Sequence, residues 1–159
     1  RKVTGLSFVP GAPGAGELLV TTNDSRMRLF RLEDFSPLQK FKGATNSQMQ
    51  IRAAFSQDGE CIVSGSENGS VYVWGTHSQY VPGSVAKLTH KRDRNDSYEH
   101  FGATDGTPPI VTSASFAPAA TFVTARTHLL GQGDPEGYCR RIIVATDYAG
   151  VVRVYEASG

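Results

Sequence analysis

Residues 61–74 read Cys61-Ile62-Val63-Ser64-Gly65-Ser66-Glu67-Asn68-Gly69-Ser70-Val71-Tyr72-Val73-Trp74, and this stretch decides the fold. Two apolar runs rich in β-branched residues flank Asn68-Gly69, a pair that readily adopts the positive φ angles of tight hairpins. A third run, residues 50–55, lies upstream and is followed by the turn sequence Ser56-Gln57-Asp58-Gly59. This order predicts three antiparallel strands joined by two tight turns.

The same pattern occurs three times along the chain, which is typical of a repeat architecture. The first copy has strand-like runs at residues 3–8, 18–22 and 26–30, and the third has them at residues 111–116, 142–146 and 151–155. Corresponding aromatic residues close the first strand of each copy (Phe8, Phe55, Phe116) and the third (Phe30, Trp74, Tyr155), and we expect Trp74, Phe55 and Phe116 to be buried between or within the sheets. A weaker fourth strand is expected at residues 38–42 and 85–89.

Four-stranded sheets repeated in this way are β-propeller blades. We therefore predict an all-β fold, a partial β-propeller of about three four-stranded antiparallel blades, with the last blade lacking its outer strand. The blades are expected at about residues 3–43, 50–90 and 110–157. Since three blades cannot close a ring of ~4–8 blades, we expect the last blades of a larger ring, with open blade edges through which the fragment self-associates.

Composition excludes several classes of protein. The 159 residues carry a formal net charge of only +1, so no global field favours nucleic acid, and no nucleic-acid partner is expected. No apolar run approaches the ~20 residues of a transmembrane helix. Cys61 and Cys139 lie far apart, which favours reduced thiols in a cytoplasmic protein. No cofactor or metal is expected, because the four histidines lack metal-ligand spacing and the glycine-rich residues 11–16 lack the ending of a phosphate loop.

Residues 61–74 resemble the WD-repeat signature, in which a small-residue turn precedes an apolar strand ending in Trp. The other two copies depart from it, since Phe30 and Tyr155 replace the Trp and Ala149 stands where a turn carboxylate or amide is usual. Residues 20–29, 91–96 and 111–118 resemble the C-terminal blades of endosomal WD-repeat proteins that bind Rab-family GTPases. This resemblance implies a non-catalytic interaction scaffold in vesicle trafficking, with a Rab-type partner and peripheral association with endosomal membranes.

The candidate partner-binding segment mixes forked cations with acids and aromatic side chains, which suits a protein interface. We expect it to be an exposed connection between the second and third blades, and its candidate contact residues are Lys91, Arg92, Asp93, Arg94, Asn95, Asp96, Tyr98 and Phe101. The alternative is a loop whose charges pair with one another. A second long insertion, residues 121–140, is expected on the opposite rim.

Two other functions stay open from the residues alone. A propeller enzyme would need paired carboxylates, but Asp24, Glu67 and Asp147 stand in turn sequences where capping explains them. A phosphate- or nucleic-acid-binding module would use the cations Lys91, Arg92, Arg94, Arg140 and Arg141.

Overall fold

The computed structural model describes residues 1–11, 16–76, 98–118 and 141–157. Within these ranges the chain forms eleven strands and no helix. The strands are β1 (Val3–Phe8), β2 (Glu17–Thr22), β3 (Arg26–Arg31), β4 (Pro37–Phe41), β5 (Ala53–Phe55), β6 (Cys61–Ser64), β7 (Ser70–Gly75), β8 (Glu99–Gly102), β9 (Val111–Phe116), β10 (Arg141–Asp147) and β11 (Val152–Ala157). No helix among the described residues is long and apolar enough to cross a membrane.

The strands form three antiparallel sheets of four, four and three strands, in which neighbours in sequence are neighbours in space. Tight turns make this possible: Gly69 and Gly150 have φ angles of 83° and 85° between the second and third strands of their sheets. Ser25 takes the same place in the first sheet at φ 58°. The prediction of an all-β partial propeller whose last sheet has three strands is confirmed.

The fourth strand of the second sheet lies later in the chain than the sequence suggested. Strand β8 pairs with β7 through Val71 opposite Phe101 and Val73 opposite Glu99. The strand expected at residues 85–89 lies outside the described residues, and the expectation that Phe101 belongs to an exposed connection is wrong. Phe101 fits a strand because its side chain is half-buried against the third sheet, 4.7 Å from the Tyr155 ring centroid.

Two apolar clusters hold the three sheets together. Between the first two sheets, Leu19, Met27, Leu29 and Phe41 pack against Ala53, Ile62, Tyr72 and Trp74. Between the second and third sheets, Val63 and Val71 pack against Val111, Ala114, Ile143 and Ala145. The core is therefore made of interfaces between sheets, with Trp74 fully buried as predicted and Phe55 and Phe116 half-buried against these clusters.

The outer faces of the first and third sheets are apolar but uncovered in this chain. On the first sheet Leu6 is 64% exposed, although the corresponding Ala53 and Ala114 are buried, and Phe8 is 67% exposed, although the corresponding Phe55 and Phe116 are half-buried. On the third sheet Val152 and Val154 are 61% and 67% exposed, although the corresponding Met27 and Leu29 are buried. We call these surfaces the first-sheet face and the third-sheet face.

The strand ends define two rims. The connection rim comprises residues 1–2, the turns 23–26, 67–69 and 148–150, and the connections 42–52 and 103–110; hydrogen bonds such as Ser25 N–H to Asn46 O (3.1 Å) and Glu67 N–H to Thr45 O (2.9 Å) tie these segments together. The hairpin rim comprises residues 9–11, 16–17, 31–36, 56–60 and 76, with bonds such as Leu32 N–H to Gly16 O (2.8 Å).

Strands β7 and β9 end at the hairpin rim, and β8 and β10 begin there, because the two strands of each pair are antiparallel neighbours. Residues 103–110 join β8 to β9 at the connection rim. Residues 91–97 of the expected connection and the expected insertion at residues 121–140 lie outside the described residues, so their placement on opposite rims stays a prediction.

Candidate functional site

The connection rim is built around three acidic side chains that bind their neighbours in the fold. Asp24 accepts hydrogen bonds from Thr22 and from Arg28 (2.9 Å) and forms an ion pair with Arg1 at 3.1 Å. The hydrogen bond from the Arg28 guanidinium is the main reason that the pKa of Asp24 lies well below its usual value. This carboxylate thus holds the β2–β3 turn.

Glu67 anchors the connection between the first two sheets. Its carboxylate accepts the backbone N–H groups of Ser47 (2.7 Å), Gln48 (2.7 Å) and Met49 (2.8 Å), and also the Ser47 hydroxyl (2.7 Å). Burial alone would raise the pKa of Glu67, but these hydrogen bonds outweigh it and lower the pKa to about 2. Three consecutive amides aimed at one carboxylate fix residues 47–49 to the second sheet.

Asp147 replaces the turn carboxylate that Ala149 cannot supply. It stands at the end of β10 with its side chain only 1% exposed, and it accepts hydrogen bonds from Arg153 (2.6 Å), Thr104 (2.8 Å) and the backbone N–H of Val151 (2.9 Å). The bond from Arg153 is the largest of the effects that lower the pKa of Asp147 to about 2. Arg153 also forms an ion pair with the exposed Asp105.

These three acids do not form a catalytic pair. Each one belongs to a different sheet, and each carboxylate is ionised and already bound to donors of its own neighbourhood. A general acid would need a raised pKa, whereas all three are lowered. Among the described residues no group of three or more His, Cys, Asp or Glu side chains is placed to hold a metal ion.

The candidate partner-binding residues fall in two groups. Lys91, Arg92, Asp93, Arg94, Asn95 and Asp96 lie outside the described residues, as do Arg140 and the side chain of Arg141. Tyr98 is 40% exposed, immediately before β8, with its ring centroid 5.1 Å from Tyr72 and 5.7 Å from His100. Tyr98 therefore adds an exposed edge to an aromatic stack, whereas Phe101 packs inwards from β8.

The recess between the first two sheets was not predicted from the sequence. It opens at the connection rim and is lined by Arg26, Lys42 and Asn46 together with Thr21, Thr22, Ser25, Met27, Phe41, Ala44, Ser64 and Trp74. These residues come from both sheets and from the connection, so no local sequence motif marks the recess. Its only sequence signal is the pair of cations at strand ends, Arg26 and Lys42.

Asn46 is the unusual residue of this recess. Its Nδ2 donates to Thr4 Oγ1 (3.2 Å) and to the Ile51 carbonyl (3.1 Å), which fixes the orientation of the amide. Its Oδ1 is buried and accepts no hydrogen bond within the described protein. A buried acceptor without a donor is costly, so this atom is suited to a water or ligand donor.

The comparisons with known proteins agree with the repeated sheets. The model of the "WD domain, G-beta repeat" family matches residues 35–75. Residues 35–75 are therefore similar to a WD repeat. The rest of the chain shares the sheet architecture of this repeat, and its similarity to WD-repeat proteins supports membership of the WD40 repeat family.

The relatives extend the similarity beyond the single matched WD repeat. WD repeat-containing protein 44 of Xenopus laevis is 39% identical over 170 residues, covering 98% of this chain and 17% of that protein. Jouberin of Rattus norvegicus is 32% identical over 97 residues, covering 60% of this chain and 9% of that protein. The chain thus spans less than a fifth of the length of either relative.

Among solved structures, the computationally designed Ika4 protein matches with a TM-score of 0.55 at 16% identity, covering 99% of this chain and 68% of that one. This likeness concerns the fold alone. Proteins with WD repeats are generally interaction scaffolds and typically non-catalytic.

Proposed function

We propose that this WD-repeat chain is an interaction scaffold in membrane trafficking that binds a Rab-type small GTPase at the cytoplasmic face of endosomal membranes. The observation that carries the proposal is the similarity over 98% of the chain to WD repeat-containing protein 44. The resemblance of residues 20–29, 91–96 and 111–118 to Rab-binding WD proteins gives the class of partner.

The proposed contact surface combines Lys91 to Asp96 with the exposed ring of Tyr98. Tyrosine and arginine are enriched at interface hot spots because they bring large contact area and forked hydrogen bonds. Phe101 contributes from within, since its contact with Tyr155 holds β8 and so the position of Tyr98. Tyr98 is therefore the residue of the proposed surface whose position the structure gives.

The test is binding of the full-length protein to Rab-family GTPases loaded with a GTP analogue or with GDP. We expect binding to the GTP-analogue form, weakened about tenfold or more by the double change Arg92→Ala, Arg94→Ala and by Tyr98→Ala, as for interface hot spots. Glu99→Ala, an exposed neighbour in β8, is the matched control and should bind normally. Nucleotide-independent binding, or binding that the arginine changes leave intact, would contradict the proposal.

We also propose that the isolated chain self-associates. The exposed apolar residues Leu6, Phe8, Val152 and Val154 support this, because they stand where buried interface residues stand in the neighbouring sheets. The contact is between sheet faces, which differs from the pairing of strand edges expected from the sequence.

A further inference from the structure

Among the described residues, the two rims carry opposite charge. On the connection rim, as far as the link between the second and third sheets, five cations, Arg1, Lys2, Arg26, Lys42 and Arg52, accompany three acids, Asp24, Glu67 and Asp105. On the described hairpin rim, five acids, Glu17, Glu33, Asp34, Asp58 and Glu60, accompany one cation, Arg31.

The acids of the connection rim pair with only one of these five cations, Arg1. Asp24 is held by Arg28 and Arg1, the Glu67 carboxylate is occupied by the backbone of residues 47–49, and Asp105 pairs with Arg153. Within the part of the chain that the structure describes, Lys2, Arg26, Lys42 and Arg52 have no acidic partner. Four cations are thus available to a ligand on one rim.

Two of these cations lie at a concave place. Arg26 begins β3 and Lys42 follows β4, and both line the recess between the first two sheets. The Arg26 guanidinium donates to the Ser25 carbonyl at 2.8 Å, which holds it at the recess. Asn46 lines the same recess with its buried, unpartnered Oδ1.

We propose that this basic recess binds an acidic segment of a partner protein. Carboxylates of the segment pair with Arg26 and Lys42, and Lys2 and Arg52 extend the positive field around them. A peptide also brings N–H donors, which reach the buried Asn46 Oδ1 through a bridging water. An anionic membrane surface is flat and does not match a recess between two sheets, so the acidic protein segment fits the geometry better.

This proposal is independent of Rab binding, because it uses the connection rim and none of the residues 91–101. Removing the cations of the recess should leave nucleotide-dependent GTPase binding unchanged. The two proposals can therefore fail separately.

The test measures binding of a fluorescein-labelled oligo-glutamate peptide to the full-length protein by fluorescence anisotropy. We expect Arg26→Glu and Lys42→Glu each to weaken binding by about tenfold, with a marked dependence on salt. The matched control is Arg31→Glu, which changes net charge equally on the hairpin rim and should alter the affinity by less than about twofold. Thermal unfolding of each variant checks that the fold is intact.

Three results would overturn the proposal. Equal weakening by Arg31→Glu would show that only total charge matters. Unchanged affinity in folded Arg26→Glu and Lys42→Glu proteins would place the binding elsewhere. Binding to phosphatidylserine vesicles without binding to oligo-glutamate would assign the basic rim to a membrane.

As a check on Asn46, polyacrylate of equal charge, which lacks N–H donors, should bind more weakly than oligo-glutamate.

Discussion

At the scale of single residues, Trp74 joins the first two sheets. It is 1% exposed, its Nε1–H donates to the Lys42 carbonyl at 2.8 Å, and its ring lies 5.7 Å from Tyr72 and 6.5 Å from Phe41. The hydrogen bond crosses from β7 to the end of the first sheet. One side chain therefore contributes both packing and a polar contact to the same interface.

We predict that Trp74→Ala lowers the free energy of unfolding by about 3–5 kcal/mol, as expected for a large buried aromatic residue. Trp74→Phe keeps a ring but leaves the Lys42 carbonyl without its donor, so it should cost about 1–3 kcal/mol. Urea unfolding followed by far-UV circular dichroism measures both changes. Tryptophan fluorescence is unsuitable, because Trp74 is the one tryptophan of the chain and both variants remove it. A Trp74→Ala protein as stable as the unchanged chain would show that Trp74 does not hold the first two sheets together.

Glu67 gives stability a dependence on pH. Its pKa is about 2 in the folded protein against an ordinary value of 4.5, so the unfolded chain binds a proton at a higher pH than the folded one. The contribution of Glu67 is therefore complete above about pH 4.5 and is lost as the pH falls towards about 2. We predict that Glu67→Gln lowers stability at neutral pH and flattens this acid-induced loss.

Urea unfolding midpoints at a series of pH values measure this effect. The matched control is Glu33→Gln, an exposed residue of the turn between β3 and β4, which should follow the unchanged chain. If Glu67→Gln lost stability towards acid as steeply as the unchanged chain, the Asp24 and Asp147 carboxylates would account for the acid sensitivity.

The residue patterns that the sequence could predict are those governed by local chemistry. Asn68-Gly69 predicted a turn, and the apolar run that ends in Trp74 predicted a strand with a buried aromatic residue at its end. The sequence could not predict that Asp147 supplies the turn carboxylate missing at Ala149. Asp147 takes this role through hydrogen bonds to Thr104 and Arg153, which lie in separate segments of the chain. Such compensation depends on tertiary contacts.

At the scale of elements, strands were predictable where apolar residues and turn signals coincided. Ten of the eleven strands lie at or near the expected positions, whereas β8 does not. Its sequence, Glu-His-Phe-Gly, contains one large apolar residue and no β-branched residue, so propensity gives no strand signal. The pairing with β7 and the contact of Phe101 with Tyr155 supply the stabilisation that the sequence lacks.

The same shift in β8 changes which elements face a partner. Because β8 is formed by residues 99–102, the described link between the second and third sheets is only residues 103–110, which is shorter than the connection expected from the sequence. The basic recess escaped prediction for a related reason. Arg26, Lys42 and Asn46 come together only when the first two sheets pack and Glu67 holds the connection between them.

At the scale of the whole molecule, the stack has two unlike ends. The first-sheet face presents Leu6 and Phe8, and the third-sheet face presents Val152 and Val154. Surfaces of these two kinds meet twice inside the stack, between the first and second sheets and between the second and third. A contact between unlike faces of two copies would therefore be heterologous, repeating the packing within each copy.

We predict that the isolated 159-residue chain associates head to tail, with the first-sheet face of one copy on the third-sheet face of the next. Leu6→Lys or Val154→Glu alone should weaken association, because each places an unpaired charge in an apolar contact. Mixing the two variants should restore it, since the lysine of one copy then meets the glutamate of another. Sedimentation velocity at several concentrations measures the association. Phe35→Lys, which changes a residue 74% exposed in a turn away from both faces, is the control and should associate normally. Association that survives both single changes, or that mixing does not restore, would show that unlike faces do not meet and that strand edges or other surfaces join the copies.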